Sequence, residues 1–193
     1  MERDLNRLAA DQATHVARDL RAIARRGGNE ADFRREAARL FEDAASAIGL
    51  TIAPRDEYHV ARGHVDSVYN RLILEYKKPG LLRPANASVP NQKAISQVKE
   101  YIVDVAIRER REAQRLAGVI TDGFYLIFVR RVGDGWSEDE AAPVNASSSE
   151  LLLRLLFSLS AGAALIPENL VEDFGPRQWR AKAAVRAIYR AFC

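Results

Sequence analysis

The sequence predicts an α/β protein in which a small mixed β-sheet is flanked by helices. Three observations predict it: apolar residues recur at helical spacing near both ends and in the middle, two separate blocks switch to β-branched and aromatic patterning, and Gly, Pro or Asn punctuate each switch.

The first helix is expected from Glu2 to Arg26, where charges alternate with Leu, Ala, Val and Ile until "RRGGN" supplies a cationic last turn and a glycine stop. A second is expected from Glu30 to Ile48, with Phe33, Ala37, Leu40, Phe41, Ala44 and Ile48 on one stripe, Asn29 as its N-cap and Gly49 as its end. From Thr51 to Lys78 the stretches "TIAP", "EYHVARGHVDSVY" and "LILEYKK" predict two or three neighbouring strands. The three prolines of "PGLLRPANASVPNQ" predict a loop, followed by a helix from about Gln92 to Leu116. Two short strands around "TDG" and a polar hairpin or loop at "GDGW" are expected within "AGVITDGFYLIFVRRVGDGW". The rest is helical: "SSSELLLRLLFSLSAG" opens on a Ser/Glu capping pattern, and "GPRQWRAKAAVRAIYRAF" places proline in a first turn.

Composition narrows the function classes. A chain of 193 residues that is 48% hydrophobic can bury one substantial core. Its 29 basic and 26 acidic side chains leave a net charge of +3, which permits a nucleic-acid partner without demanding one. The single cysteine, Cys193, cannot form an internal disulfide, and "MERDLNRLAADQ" lacks the apolar stretch of a secretory signal, so a cytoplasmic protein is expected. The most apolar run, from Leu151 to Pro167, is interrupted by Arg154 and falls short of the roughly 20 residues a spanning helix needs, so no membrane role is expected.

The chemistry concentrates in "GHVDSVYNRLILEYKKPG", residues 63–80. A tight turn at Asn70 and Arg71 sets Asp66 opposite Glu75, with Cβ atoms roughly 4.5–5.5 Å apart. Lys77, two positions beyond Glu75, projects from the same face because side chains alternate along a strand. Two carboxylates this close repel, and a hard divalent cation relieves the conflict. The lysine then has two candidate tasks: to position or deprotonate an attacking water, or to counter charge on a pentacovalent phosphorane.

The ordered set Gly63-x-x-Asp66, Glu75-x-Lys77 and Gln97-x-x-x-Tyr101 resembles the PD-(D/E)XK nuclease superfamily, in the branch whose core motif is followed by Gln-x-x-x-Tyr on a helix. Val65 stands where the name-giving proline is often found. The resemblance implies a restriction-endonuclease-like core and a metal-dependent DNA endonuclease. It makes Asp66 and Glu75 ligands of Mg²⁺, with Mn²⁺ as a substitute, Lys77 the catalytic lysine, and Gln97 an orienting group for the lysine or the substrate. Tyr101 lies one helical turn beyond Gln97 on the same face and, with Lys78, is expected at the DNA. An acidic residue from the helix before the sheet often completes such a site. Glu30, in phase with Phe33, Ala37 and Ala44, is the first choice, and Glu36 the second.

A narrower likeness joins residues 63–80 to "AGVITDGFYLIFVRR" and "EDFGPRQWRAKAAVRAIYRAF". Together they look like the N-terminal nuclease-like domain of bacterial restriction-modification or phage-defence proteins that carry a DNA methyltransferase. Residues 1–28 are then an N-terminal helix and residues 29–193 the nuclease-like domain. The chain has no Asn-Pro-Pro-Tyr type methylation motif, so a methyltransferase is expected as a further domain of a longer protein or as a separate subunit. Cutting both strands calls for two active sites, which makes a homodimer the other expected assembly. The first helix is expected either to pack on the domain or to offer a dimer surface.

Each of these residues also has a plainer reading. Asp66 and Glu75 can simply pair with Lys77 and Lys78 at a solvated sheet edge, although the apolar "LILEY" makes an unpaired charge costly there. Gln97 and Tyr101 can be a polar stripe on an amphipathic helix. His64 is read as an ordinary strand residue, and Lys93, Lys99, Arg108, Arg110, Arg111 and Arg115, interleaved with glutamates, as a solvated face. The alternative function is a catalytically silent nuclease-like module that binds DNA or a partner protein.

Overall fold

The computed structural model describes residues 2–61 and 63–160. The closing helix expected at 175–192 and the end of the apolar run after Ser160 lie outside the described residues. Within these limits the chain is an α/β protein of four helices and a seven-stranded mixed sheet. In chain order the elements are α1 (Glu2–Arg25), α2 (Glu30–Ser46), β1 (Arg55–Val60), β2 (Gly63–Tyr69), β3 (Leu72–Tyr76), α3 (Val89–Glu109), a 3₁₀ turn (Ala113–Arg115), β4 (Ala117–Thr121), β5 (Tyr125–Val132), β6 (Gly135–Glu138), β7 (Ala142–Pro143) and α4 (Ala146–Ser160).

The strands lie in the order β1-β2-β3-β4-β5-β6, with β7 also paired to β5. All neighbours are antiparallel except β3 and β4, which run parallel and are joined through α3. A parallel pair needs a crossover long enough to return to the starting edge, and α3 supplies it. β3 is buried along its whole length and divides its side chains between two cores. Leu72, Leu74 and Tyr76 join α1, α2 and α4, while Ile73 joins α3 on the opposite face. Alternation along the strand therefore aims Glu75 and Lys77 at the α3 side.

α1 packs along α4 and against α2, and its Ala9, Val16, Ala17, Leu20 and Ile23 are buried in the same core as Phe33, Tyr76 and Leu152. The first helix thus shares the core of the sheet. Asn29 caps α2, its side chain accepting from the Asp32 N–H at 2.8 Å. α3 approaches β4 closely enough that a Cβ on Gly118 would stand 2.2 Å from Val98 Cγ1, so only glycine fits that position without movement.

Four boundaries differ from expectation. "TIAP" has no regular structure, and β1 begins at Arg55. α3 starts at Val89 because Pro90 sits in its first turn, where a missing N–H costs nothing. The same helix stops at Glu109, well short of Leu116: Arg110 turns left-handed at φ 55° and the Arg111 N–H reaches back to the Ala106 carbonyl, a stop made without glycine. For α4 the cap is Asn145, whose side chain accepts from the Ser148 N–H while Ser148 Oγ accepts from the Asn145 N–H. The reciprocal pair is a capping box built on Asn/Ser where Ser/Glu was expected.

Candidate active site

The turn at Asn70 and Arg71 sets the register expected of it. Tyr69 pairs with Leu72, Val68 with Ile73 and Ser67 with Leu74. Asn70 takes φ 53°, a left-handed value that asparagine tolerates better than most residues. One step beyond the last of these pairs, Asp66 uses Oδ2 to accept from the Tyr76 N–H at 2.9 Å. The acid is thereby fixed against the end of β3, beside Glu75.

Glu75 is 3% exposed. Its Oε1 accepts from Lys77 Nζ at 2.6 Å, and its Oε2 is buried with no hydrogen-bond partner. Burial first, then the nearby charge of Asp66, pushes the carboxyl up to about 7; Lys77 pulls the other way without winning, and Glu30 adds to the rise. Burial works to lower the Lys77 pKa, but Glu75, with Glu30 and Asp66, more than offsets it and holds the ammonium above its ordinary value. The lysine is therefore a stable cation in this arrangement. Positioning a water and countering charge both suit that state, whereas taking a proton from water does not.

α3 supplies the next layer. Lys77 Nζ donates to Gln97 Oε1 at 3.0 Å, and Gln97 Nε2 donates to the Tyr101 hydroxyl at 2.6 Å. The four-residue spacing of Gln97 and Tyr101 stacks them on one face of the helix, so the Tyr101 oxygen decides which end of the amide meets the lysine. Gly63, at φ 144°, lies against that hydroxyl, and a Cβ there would stand 3.8 Å from it. Tyr101 is 5% exposed, and its position behind Gln97 makes it a support for the amide; the DNA contact expected of it has little surface to use.

The two candidate helix acids part company. Glu30 Oε2 accepts from the Lys78 N–H at 3.0 Å, which puts its carboxylate at the end of β3 and within the field felt by Glu75 and Lys77. Glu36 instead pairs with Arg26 where α1 meets α2. The Lys78 side chain is exposed beside the site, free to meet a phosphate. The loop past this point is held by Asp122, fully buried after β4, which accepts from Leu82, Phe124 and Tyr125 N–H groups at 2.9 Å each. "TDGF" is thus a tight turn that also ties down the loop after Lys78.

Sequence reasoning missed Arg34 and Glu57. Arg34 on α2 donates Nη1 to Asp66 Oδ1 at 3.1 Å and Nη2 to Glu57 Oε1 at 3.0 Å. No motif marks either residue, and the only signal was that Arg34 follows the core residue Phe33 on the sheet-facing helix. The basic residues read as a solvated face do engage the chain itself: Arg108 lies over the Tyr58 ring and donates to the His59 carbonyl, Lys99 pairs with Glu138, Arg111 with Glu109, and Arg115 with Glu112. His64 packs its ring edge-on against His59, with centroids 4.1 Å apart.

The donor set at the end of β3 is oxygen only, and the unpartnered Glu75 Oε2 is a buried oxygen of the kind a hard cation satisfies. Asp66 lies beside it, with Oδ1 accepting from Arg34 and Oδ2 from the Tyr76 N–H, so Glu75 Oε2 is the oxygen of this pair without a partner. Among the described residues, no group of three or more His, Cys, Asp and Glu side chains is spaced to hold a metal. No helix among the described residues is long and apolar enough to cross a membrane. Compared with known protein families, curated proteins and solved structures, the chain finds no match.

Proposed function

We propose that this chain carries a restriction-endonuclease-like, PD-(D/E)XK-type nuclease domain that hydrolyses DNA phosphodiesters with the help of Mg²⁺, or of Mn²⁺ in its place. One observation carries the reading: Asp66, Glu75 and Lys77 from a hairpin, Gln97 from α3 and Glu30 from α2 meet at the carboxyl end of β3. A solvated sheet edge would not bury the glutamate, nor line the lysine with an amide held by a tyrosine.

Asp66 and Glu75 would hold the cation, which when bound supplies a polarised water and a neutralised phosphate oxygen. Lys77 keeps its proton and offers a fixed positive charge where negative charge grows on the phosphorus oxygens. Gln97 Oε1 holds the lysine toward Glu75, and Tyr101 holds Gln97 in that orientation. Glu30 anchors the Lys78 backbone, leaving the Lys78 side chain to meet the DNA backbone. The proposed setting is a restriction-modification or phage-defence system in the cytoplasm, with a methyltransferase domain or subunit as partner and a second copy of the chain to cut the opposite strand.

A second reading, a silent module that binds DNA or a protein partner, is favoured by the ion pairing of Asp66: one oxygen faces Arg34 and the other the Tyr76 N–H. The test separates the two. Purified protein is incubated with supercoiled and linear DNA in Mg²⁺, Mn²⁺ or EDTA, alongside Asp66→Ala and Lys77→Ala. Metal-dependent cutting lost in both variants supports the nuclease. Cutting retained by folded Asp66→Ala sinks the site, and DNA binding without turnover under any metal establishes the silent module.

A further inference from the structure

Arg34 on α2 reaches two carboxylates on the neighbouring strands β1 and β2. Its guanidinium, half-buried on α2, forks between Asp66 at 3.1 Å and Glu57 at 3.0 Å. Its pKa is raised from the ordinary value: burial works against the charged form, but Glu57 and Asp66 together outweigh the burial. The backbone is shaped around this fork. β1 and β2 pair at Arg55–Val68, Asp56–Ser67, Tyr58–Val65, His59–His64 and Val60–Gly63, and the ladder skips the pair that would join Glu57 to Asp66. At that gap Glu57 takes φ 48°, a left-handed conformation that a glutamate adopts at a cost of order 1 kcal/mol or more. Local strain therefore coincides with the one point where both carboxylates turn to the same arginine.

We propose that Arg34 is an exchangeable counter-ion that competes with the divalent cation for Asp66, so that entry of the metal moves the guanidinium off Asp66 and onto Glu57 alone. The inference rests on the metal site of the proposed function. The electrostatic reason is simple. Without a metal, Asp66 and Glu75 stand side by side with Glu30 nearby, and Lys77 is committed to Glu75. Arg34 supplies the missing positive charge for Asp66. With a dication on Asp66, the guanidinium 3.1 Å away becomes a like charge, and each weakens the other's hold. Glu57, mostly exposed, gives the arginine somewhere to stay.

The test is Mn²⁺ binding to the full chain, followed by loss of the free-ion electron paramagnetic resonance signal, with the Mn²⁺-induced rise in Tm as a second readout. Wild type, Arg34→Gln and Asp66→Asn are compared. Arg34→Gln is expected to bind Mn²⁺ at least threefold more tightly than wild type, to melt lower without metal, and to gain more Tm from it. Asp66→Asn is expected to lose binding. If Arg34→Gln binds Mn²⁺ equally or more weakly while Asp66→Asn still loses it, Arg34 merely orients Asp66; the inference is then overturned and the metal site stands. If neither wild type nor Arg34→Gln binds Mn²⁺, both the inference and the nuclease reading fall. Binding seen only in Arg34→Gln would support the competition in its strongest form.

Discussion

Lys77 gives its ammonium to one oxygen of Glu75 at 2.6 Å and leaves the other oxygen of that carboxylate buried and without a partner. The pair is half-satisfied. That asymmetry governs how the site responds to protons, to metal and to substitution.

Proton linkage is the first expected response. The native Glu75 keeps its proton up to about 7, well above the ordinary carboxylate value of 4.5. Between those values the native state binds more protons than the unfolded chain, so Glu75's contribution to stability is present at pH 4.5 and drains away as pH rises to 7. The slope approaches its ceiling, on the order of 1 kcal/mol per pH unit, only in the middle of that window. In metal-free buffer, the Tm of wild type relative to Glu75→Gln should fall across this window and level above it. A difference that is flat or rises would show that Glu75 is ionised throughout.

Substituting the lysine should act on the glutamate. Lys77→Met removes the one charge that opposes the rise in the Glu75 pKa, so the stability window above should extend beyond pH 7. DNA cleavage should fall by about 10³-fold, the scale of losing a charge aimed at the reacting group. The titration is read from the carboxyl ¹³C shift of Glu75, the cleavage from nicking of supercoiled DNA.

Gln97 and Tyr101 should act in series. Gln97→Ala removes a hydrogen bond to a charged donor, worth about 1.5–3 kcal/mol, and should cost kcat roughly tenfold or more with KM nearly unchanged. Tyr101→Phe only frees the far end of the amide and should cost less. The double variant should be no worse than Gln97→Ala, because the tyrosine acts through the amide.

Gly118→Ala forces a methyl group to within 2.2 Å of Val98, the residue next to Gln97. Overpacking of this kind costs about 1–3 kcal/mol in denaturant melts. Val98→Ala in the same chain should recover part of the loss. Recovery of stability without recovery of cleavage would show that Gln97 has been shifted.

Local features of this protein were legible and distant ones were not. The two-residue turn at Asn70 fixes the β2–β3 register by chain connectivity alone, so the neighbourhood of Asp66, Glu75 and Lys77 followed from spacing. Asn29 and its helix were equally plain. Arg34 was not, because it reaches Asp66 from another element through tertiary packing that leaves no periodic trace. The stop at Arg110 was missed for a different reason: a left-handed arginine does a glycine's work there, and composition cannot announce it. Pro90 misled in the opposite direction, since the residue that breaks helices also starts them.

The packing of α1 against α4 has a consequence for synthesis of the chain. About 120 residues separate the end of α1 from the start of α4. At about 5–20 residues per second, the ribosome needs on the order of ten seconds to deliver the second helix after the first. Through that interval the Val16–Leu20–Ile23 stripe of α1 has no α4 to cover it, and this face of the protein must close late, over a long loop. A chain cut or paused before Ala146 is therefore expected to aggregate more readily than one that reaches Ser160, as light scattering would read.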